Sequence, residues 1–193
     1  MKKQKTIAIF VALLSLCMFS CSEEDSNEGE FDNWKERNET YFNNLYNKAK
    51  GSTTGTWRTY HTWTKEAAAA TSPDDYIVVE VLKEGTGTES PLYSDEVKIH
   101  YRGNLMPSTN FPQGFQFDSS WYGEYNLEAM VPATSSVSGF VNGFATAIQK
   151  MHVGDRWRVY IPYALGYKGS TSNSSIPAYS TLVFDVTLVS FSH

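Results

Sequence analysis

The sequence predicts an α+β fold, a twisted antiparallel sheet wrapped around one short helix and preceded by a helical extension. Three observations carry this prediction. Residues 76–87, 96–103, 155–162 and 180–191 run β-rich into glycine turns or alternate apolar and polar side chains with period two. Only Phe144 to Met151, lying among them, sets its apolar residues (Phe144, Ala147, Ile148, Met151) at helical spacing, with Gly154 beyond its end. Four or five strands that neighbour one another in sequence, with one helix between them, close most simply as an antiparallel sheet curling over that helix.

The elements follow in order along 193 residues, enough for one domain with additional segments. Residues 1–21, MKKQKTIAIFVALLSLCMFSC, place Lys2, Lys3 and Lys5 ahead of an apolar run from Ile7 to Phe19 that is short for a bilayer span, which reads as a secretory signal. MFSC resembles a bacterial lipobox, which implies that Cys21 is lipidated and anchors the chain in the cell envelope. Cys17 is the weaker alternative site, and plain secretion is the other reading. Both cysteines lie in this segment, so the mature chain has no thiol for catalysis, disulfide formation or metal binding. Removing the segment takes away three lysines and no acid, so the formal charge goes from −5 to −8. Such a chain has no electrostatic reason to seek nucleic acid.

Residues 22–75 read as an acidic tether, an amphipathic helix and a linker. SEEDSNEGE is either a solvated tether or, by its resemblance to the acidic run of Bacteroidetes surface lipoproteins, an export signal. Residues 31–50 bring Phe31, Trp34, Tyr41, Phe42, Leu45 and Tyr46 mostly to one side, with Gly51 as a stop. That stripe packs on its own domain or forms a homodimer surface. Residues 51–75 are rich in Ser, Thr, Gly and Ala without a sustained period and read as a partly ordered linker. Residues 76–193 form the domain. Within it Val97, Ile99 and Tyr101 alternate against Lys98, His100 and Arg102, and Trp157, Val159 and Ile161 against Arg156, Arg158 and Tyr160; Leu182, Phe184, Val186 and Leu188 share one face.

The familiar catalytic sets are missing from this sequence. His61, His100, His152 and His193 have no metal-ligand spacing and read as surface or strand residues, and there is neither a nucleophile elbow nor a phosphate loop. Asp118, in FQFDSSWYG, is the notable carboxylate. The domain does hold many aromatics beside its loops, which are core rings or the lining of an apolar cleft.

Taken in order, VKIHYRG, FDSS, GFVNGFATAIQKMHVGDRWRVYIP, LGYKG and IPAYSTLVFDVTL resemble the FKBP-type peptidyl-prolyl cis-trans isomerases over about residues 76–193. The resemblance implies the family's sheet around one helix and an isomerase without cofactor or metal. It implies a catalytic set of Tyr101, Phe117, Asp118, Val141, Phe144, Tyr167 and Phe184. Val141 offers its backbone N–H to a ligand carbonyl, Phe144 stands in place of a floor tryptophan, and Tyr167 supplies a hydroxyl. Phe140 and Ile176 are implied as substrate-binding residues.

The chain also departs from the family pattern. Gly123 stands where an arginine often pairs with the FD aspartate, leaving Asp118 to a tyrosine, to Ser119 or to solvent. Gly139 stands where an acid often precedes the helix, Ser172 where a histidine can lie, and Leu127 or Met130 where a wall aromatic is usual. The expected partners are proline-containing segments of unfolded or exported proteins, at the outer membrane on its periplasmic or surface side. The alternative reading is a proline-motif binding or chaperone module of the same fold with weak turnover or none.

Overall fold

A computed structural model of the chain describes residues 29–171 and 175–193. The signal segment, with Cys17 and Cys21, most of the acidic run and Ser172 lie outside the described residues. The last acid of that run is no solvated tether: Glu30 is buried, and its carboxylate accepts the Asn110 N–H at 3.3 Å.

The described residues form α1 (Trp34–Lys50), β1 (Trp57–His61), β2 (Tyr76–Lys83), β3 (Glu96–Leu105), β4 (Gln116–Ser119), β5 (Ala133–Ser136), α2 (Asn142–Ile148), β6 (Arg156–Ile161) and β7 (Leu182–Ser192). Seven antiparallel strands make one sheet in the order β1-β2-β6-β7-β3-β4, and β5 pairs the first half of β3 while β4 pairs its second half. The α+β class is as expected, but the strand count exceeds the four or five anticipated. β1, β4 and β5 escape sequence reading because they are four or five residues long and lack a fully buried face. The linker reading of 51–75 is corrected accordingly. Its Trp57–His61 pairs with β2 across five residue positions, and Tyr60 stacks on Trp157 with centroids 5.8 Å apart.

The sheet is buried on both faces, which explains the run Ile77-Val78-Val79, every residue of it at 0% exposure. On the inner face α2 packs Phe144, Ala145, Ala147 and Ile148 against Ile77, Val79, Trp157, Val159, Val186 and Leu188. Burying side chains of that size contributes about 1.5–3 kcal/mol each. The helix begins two residues earlier than its spacing suggested, and Met151 follows as a fully buried turn residue rather than a helical one.

On the outer face α1 buries Phe42 and Ala49 against Val78 and Tyr160. Most of the apolar stripe of residues 31–50 is therefore taken up by the chain's own domain, while Phe31 ahead of the helix stays 40% exposed. Asn38 fastens α1 in place from a site with no solvent exposure. Its Nδ2 donates to the Trp34 carbonyl at 2.7 Å, and its Oδ1 accepts the Thr181 N–H at 2.7 Å. Trp34 Nε1 donates to Ser180 Oγ at 2.9 Å beside it. The N-terminal helix is thereby tied to the segment that leads into β7. Asn38→Ala is expected to lower stability by about 2 kcal/mol, because the Thr181 N–H loses its acceptor where water does not reach. The check is a urea midpoint that falls at unchanged slope; an unchanged midpoint would mean that this fastening contributes nothing.

Candidate functional site

The inner face of the sheet is left open beside the start of α2. The cleft there has a volume of about 250 Å³ and is lined by Tyr101, Phe117, Asp118, Gly139, Phe140, Val141, Phe144, Tyr167 and Phe184. Four elements and two connections converge to make it. β3 supplies Tyr101, β4 supplies Phe117 and Asp118, and β7 supplies Phe184, the register setting Gly103 beside both Asp118 and Phe184. Gly103, which the sequence reading passed over, makes the ring packing possible. A Cβ there would lie 2.5 Å from the Phe117 ring and 2.8 Å from that of Phe184. Without one, the two rings meet edge to face at 5.5 Å.

The floor follows from the helix start. A Cβ on Gly143 would overlap the Ile161 side chain, so only glycine lets α2 sit this close to β6. The close approach sets the Phe144 ring 4.6 Å from Phe184, with Phe140 at 4.8 Å on its other side. Phe144 is 4% exposed and forms the bottom of the cleft. Val141 caps the helix in an extended conformation, and among the described residues its backbone N–H donates to no acceptor. Tyr167 stands over the opposite side on the connection from β6 to β7. That connection is held by the Lys168 N–H donating to the Tyr163 carbonyl at 2.9 Å and the Tyr179 N–H donating to the Lys168 carbonyl at 2.8 Å.

Asp118 has the local partners the missing arginine left open to it. Tyr101 Oη donates to Oδ2 at 2.8 Å, and the Ser119 N–H donates to Oδ1 at 2.8 Å. Burial, and then the bond to Asp118, push the Tyr101 phenol up to about 12. The phenol thereby stays a neutral donor committed to the Asp118 carboxylate. The cleft holds neither histidine nor thiol. Its chemistry is an aromatic floor and walls, one free backbone donor and one exposed hydroxyl, which suits holding an apolar ring and a carbonyl rather than moving protons.

Of the sequence-expected site residues, all but one meet at this cleft. Ile176 does not: it is 2% exposed and lies in the core cluster with Phe144 and Phe184, beneath the wall rather than on it. Leu127 and Met130 do not replace the wall aromatic either. They line a separate cavity on the outer face with His100, Tyr125 and Thr187. The connection from β4 to β5 is drawn to that face by Tyr125, which lies 3.7 Å from the Arg156 guanidinium and shares a 2.7 Å hydrogen bond with Thr187. The sequence held no period in this stretch that could have shown the crossing.

Comparison with known proteins supplies a family for this geometry. A profile described as FKBP-type peptidyl-prolyl cis-trans isomerase matches residues 87–189. A macrophage infectivity potentiator from Trypanosoma cruzi is 36% identical over 114 residues, 59% of this chain and 52% of that one. An FKBP-type 22 kDa peptidyl-prolyl cis-trans isomerase from Escherichia coli is 34% identical over 118 residues, 61% of this chain and 51% of that one. The chain thus spans about half the length of these curated relatives. The crystal structure of FkpA from Escherichia coli superposes at a TM-score of 0.57 and 23% identity, covering 85% of this chain and 63% of that one, a likeness of fold.

The Tyr101 phenol gives this site a measurable signature. Its folded pKa stands above its unfolded value of about 10, so its contribution to stability is complete below pH 10 and is lost as pH rises towards 12. Tyrosinate absorbance should show a late phase shared by Tyr101 and Tyr160; Tyr101→Phe should remove one tyrosine from it, and that variant should lose less stability between pH 10 and 12 than its parent. If Tyr101→Phe instead removes a tyrosine that titrates near pH 10, the phenol is not held by burial and Asp118.

Proposed function

The chain belongs to the FKBP-type peptidyl-prolyl cis-trans isomerase family, and from that premise we propose that it isomerises X-Pro bonds in exported proteins as they fold. The observation that carries this reading is the convergence of Tyr101, Phe117, Phe144 and Phe184 on one apolar cleft, with the unpaired Val141 N–H at its edge. Rotation about the X-Pro amide faces a barrier of about 18–20 kcal/mol because the nitrogen lone pair is delocalised into the carbonyl. The uncatalysed step takes tens to hundreds of seconds. No covalent intermediate is needed, which fits a cleft whose one carboxylate is held by Tyr101.

The proline ring packs on Phe144 between Tyr101 and Phe184. The twisted amide is less polar than the planar one and loses less on leaving water, so an aromatic enclosure favours it. The Val141 N–H donates to the carbonyl of the bound segment, and the Tyr167 hydroxyl is the second donor. Asp118 fixes Tyr101 rather than reacting. Because Tyr101 stays neutral at physiological pH, its hydroxyl remains a donor to Asp118 and its ring adds no charge to the wall.

A second reading, a proline-segment binding module with little turnover, is favoured by two departures: Asp118 paired to Tyr101 instead of an arginine, and a phenylalanine floor. Cis-trans exchange in a Leu-Pro or Phe-Pro peptide, followed by NMR, separates the two. The parent should accelerate exchange. Tyr167→Phe should lower kcat/KM by about 2–10-fold, the worth of one net hydrogen bond, and Phe144→Ala by about ten-fold or more. Peptide shifts without any acceleration would overturn catalysis and leave the binding module.

The site of action follows from the signal segment. Cys21 carries the lipid that holds the domain at the cell envelope as an outer-membrane lipoprotein, on the periplasmic or surface side. The reading is supported by the basic flank, the apolar run and MFSC. Cells expressing the full chain should incorporate labelled palmitate into it, and Cys21→Ser should abolish the label; persistence of the label would sink the assignment.

A further inference from the structure

The outer face of the sheet, away from the aromatic cleft, holds a second concavity of about 350 Å³. α1 walls it through Tyr41 and the segment after β3 through Pro107 and Gln113. Its floor is a row across three paired strands: Arg102 of β3 beside Asp185 of β7, and Asp185 beside Arg158 of β6. The chain has five arginines, and Arg102, Arg156 and Arg158 all stand on this face of an otherwise acidic protein. A solvated strip of alternating charge would explain that placement if the charges satisfied one another. They do not.

Asp185 is the one carboxylate on the lining, and both of its oxygens are taken from the side by Arg156, through Nε at 2.8 Å and Nη2 at 2.7 Å. Arg158 reaches Glu80 only through Nη1, at 3.4 Å. The Tyr160 hydroxyl, which donates to the same Glu80 oxygen at 3.5 Å, lies beside this guanidinium. Arg102 lies over the Trp121 ring at 4.7 Å and donates from Nη2 to the Gly123 carbonyl at 2.9 Å. Its Nε is buried without a partner. The Tyr41 hydroxyl also has no hydrogen-bond partner among the described residues, and burial followed by the neighbouring Tyr160 holds this phenol in its protonated, donating form far above the usual range. The lining thus sets two guanidinium groups and a phenol against one carboxylate that Arg156 already engages through both oxygens.

A donor-rich, cationic concavity with its one carboxylate already neutralised is matched by a ligand with the opposite endowment. A carboxylate has two acceptor oxygens and the charge, and guanidinium groups bind it through paired N–H bonds. The volume suits a short side chain or a small acid rather than an extended segment. We propose that this concavity is a second binding site, separate from the aromatic cleft, that takes a carboxylate between Arg102 and Arg158 with the Tyr41 hydroxyl as third donor. The carboxylate comes from an acidic residue of a peptide or from a free dicarboxylic acid.

The test uses the mature full chain with three probes: the peptide acetyl-Gly-Glu-Gly-amide, its Gln counterpart, and succinate. The arginine Nε–H resonances are followed by NMR, and isomerisation of a Leu-Pro peptide is read in parallel. The expected result is saturable shifts at Arg102 and Arg158 with the glutamate peptide, with succinate, or with both, and none with the glutamine peptide. Arg158→Gln should weaken binding by about ten-fold or more, and Tyr41→Phe by about three-fold or more, with the Leu-Pro rate unchanged in both. A peptide that binds about ten-fold more tightly than succinate identifies an acidic peptide as the source; equal or tighter binding of succinate identifies a free acid. No saturation below about 10 mM with either acid, or affinity unaltered in both variants, overturns the site. A parent that binds the acid but fails to accelerate Leu-Pro exchange overturns the proposed activity and leaves this site standing.

Discussion

The aromatic cleft depends on how closely α2 approaches β6. Gly143 faces Ile161 with no room for a methyl group, and every distance across the cleft floor follows from that contact. Moving the helix outward by the width of one carbon would part Phe144 from Phe184 and open the floor to water. The rings now sit 4.6 Å apart, and edge-to-face or tilted aromatic contacts of this kind add about 0.5–1.5 kcal/mol beyond the area they bury. Gly103 does the same work on the other wall, so two glycines decide whether four aromatics form a cleft or a filled core.

The sheet beneath is stiff because it is covered twice. α2 closes the inner face and α1, with the connection from β4 to β5, closes much of the outer one. Sheet and α1 share the buried polar link of Asn38 to Thr181, and Thr181 leads directly into β7, the strand that carries Phe184. The N-terminal helix is therefore part of the frame that holds the cleft. β1 belongs to the same frame, since it adds an edge strand and sets Tyr60 on Trp157 in the core.

Electrostatics divides the two faces. Inside, the one carboxylate of the cleft is held by a phenol and a backbone N–H beside aromatic walls and a single free amide donor. Outside, three arginines meet two acids, and the Arg102 Nε has no partner among the described residues. One sheet thus separates an apolar recess from a cationic one by the thickness of its backbone, the alternation of side chains sending Tyr101 and Gly103 one way and Arg102 the other.

The long strands were legible in the sequence because their alternation is the direct imprint of an inner and an outer face. The helix was legible from Phe144, Ala147 and Ile148 for the same reason. The cleft residues Tyr101, Phe117, Asp118, Val141, Phe144, Tyr167 and Phe184 could be named because they sit in ordered motifs. The sequence could not show β1 or β5, where pairing with a neighbour, rather than side-chain period, makes the strand. It misplaced Ile176, Leu127 and Met130, since which side of a wall a loop residue takes depends on the path of the whole connection. By itself the sequence determined the fold class, because periodicity encodes it, and named the rings that could meet through the resemblance of its motifs to a known family. Only the tertiary structure decided that α1 and β1 belong to the sheet, that Asp118 answers to Tyr101, and that three arginines share one outer face, because each of these is a contact between residues far apart along the chain.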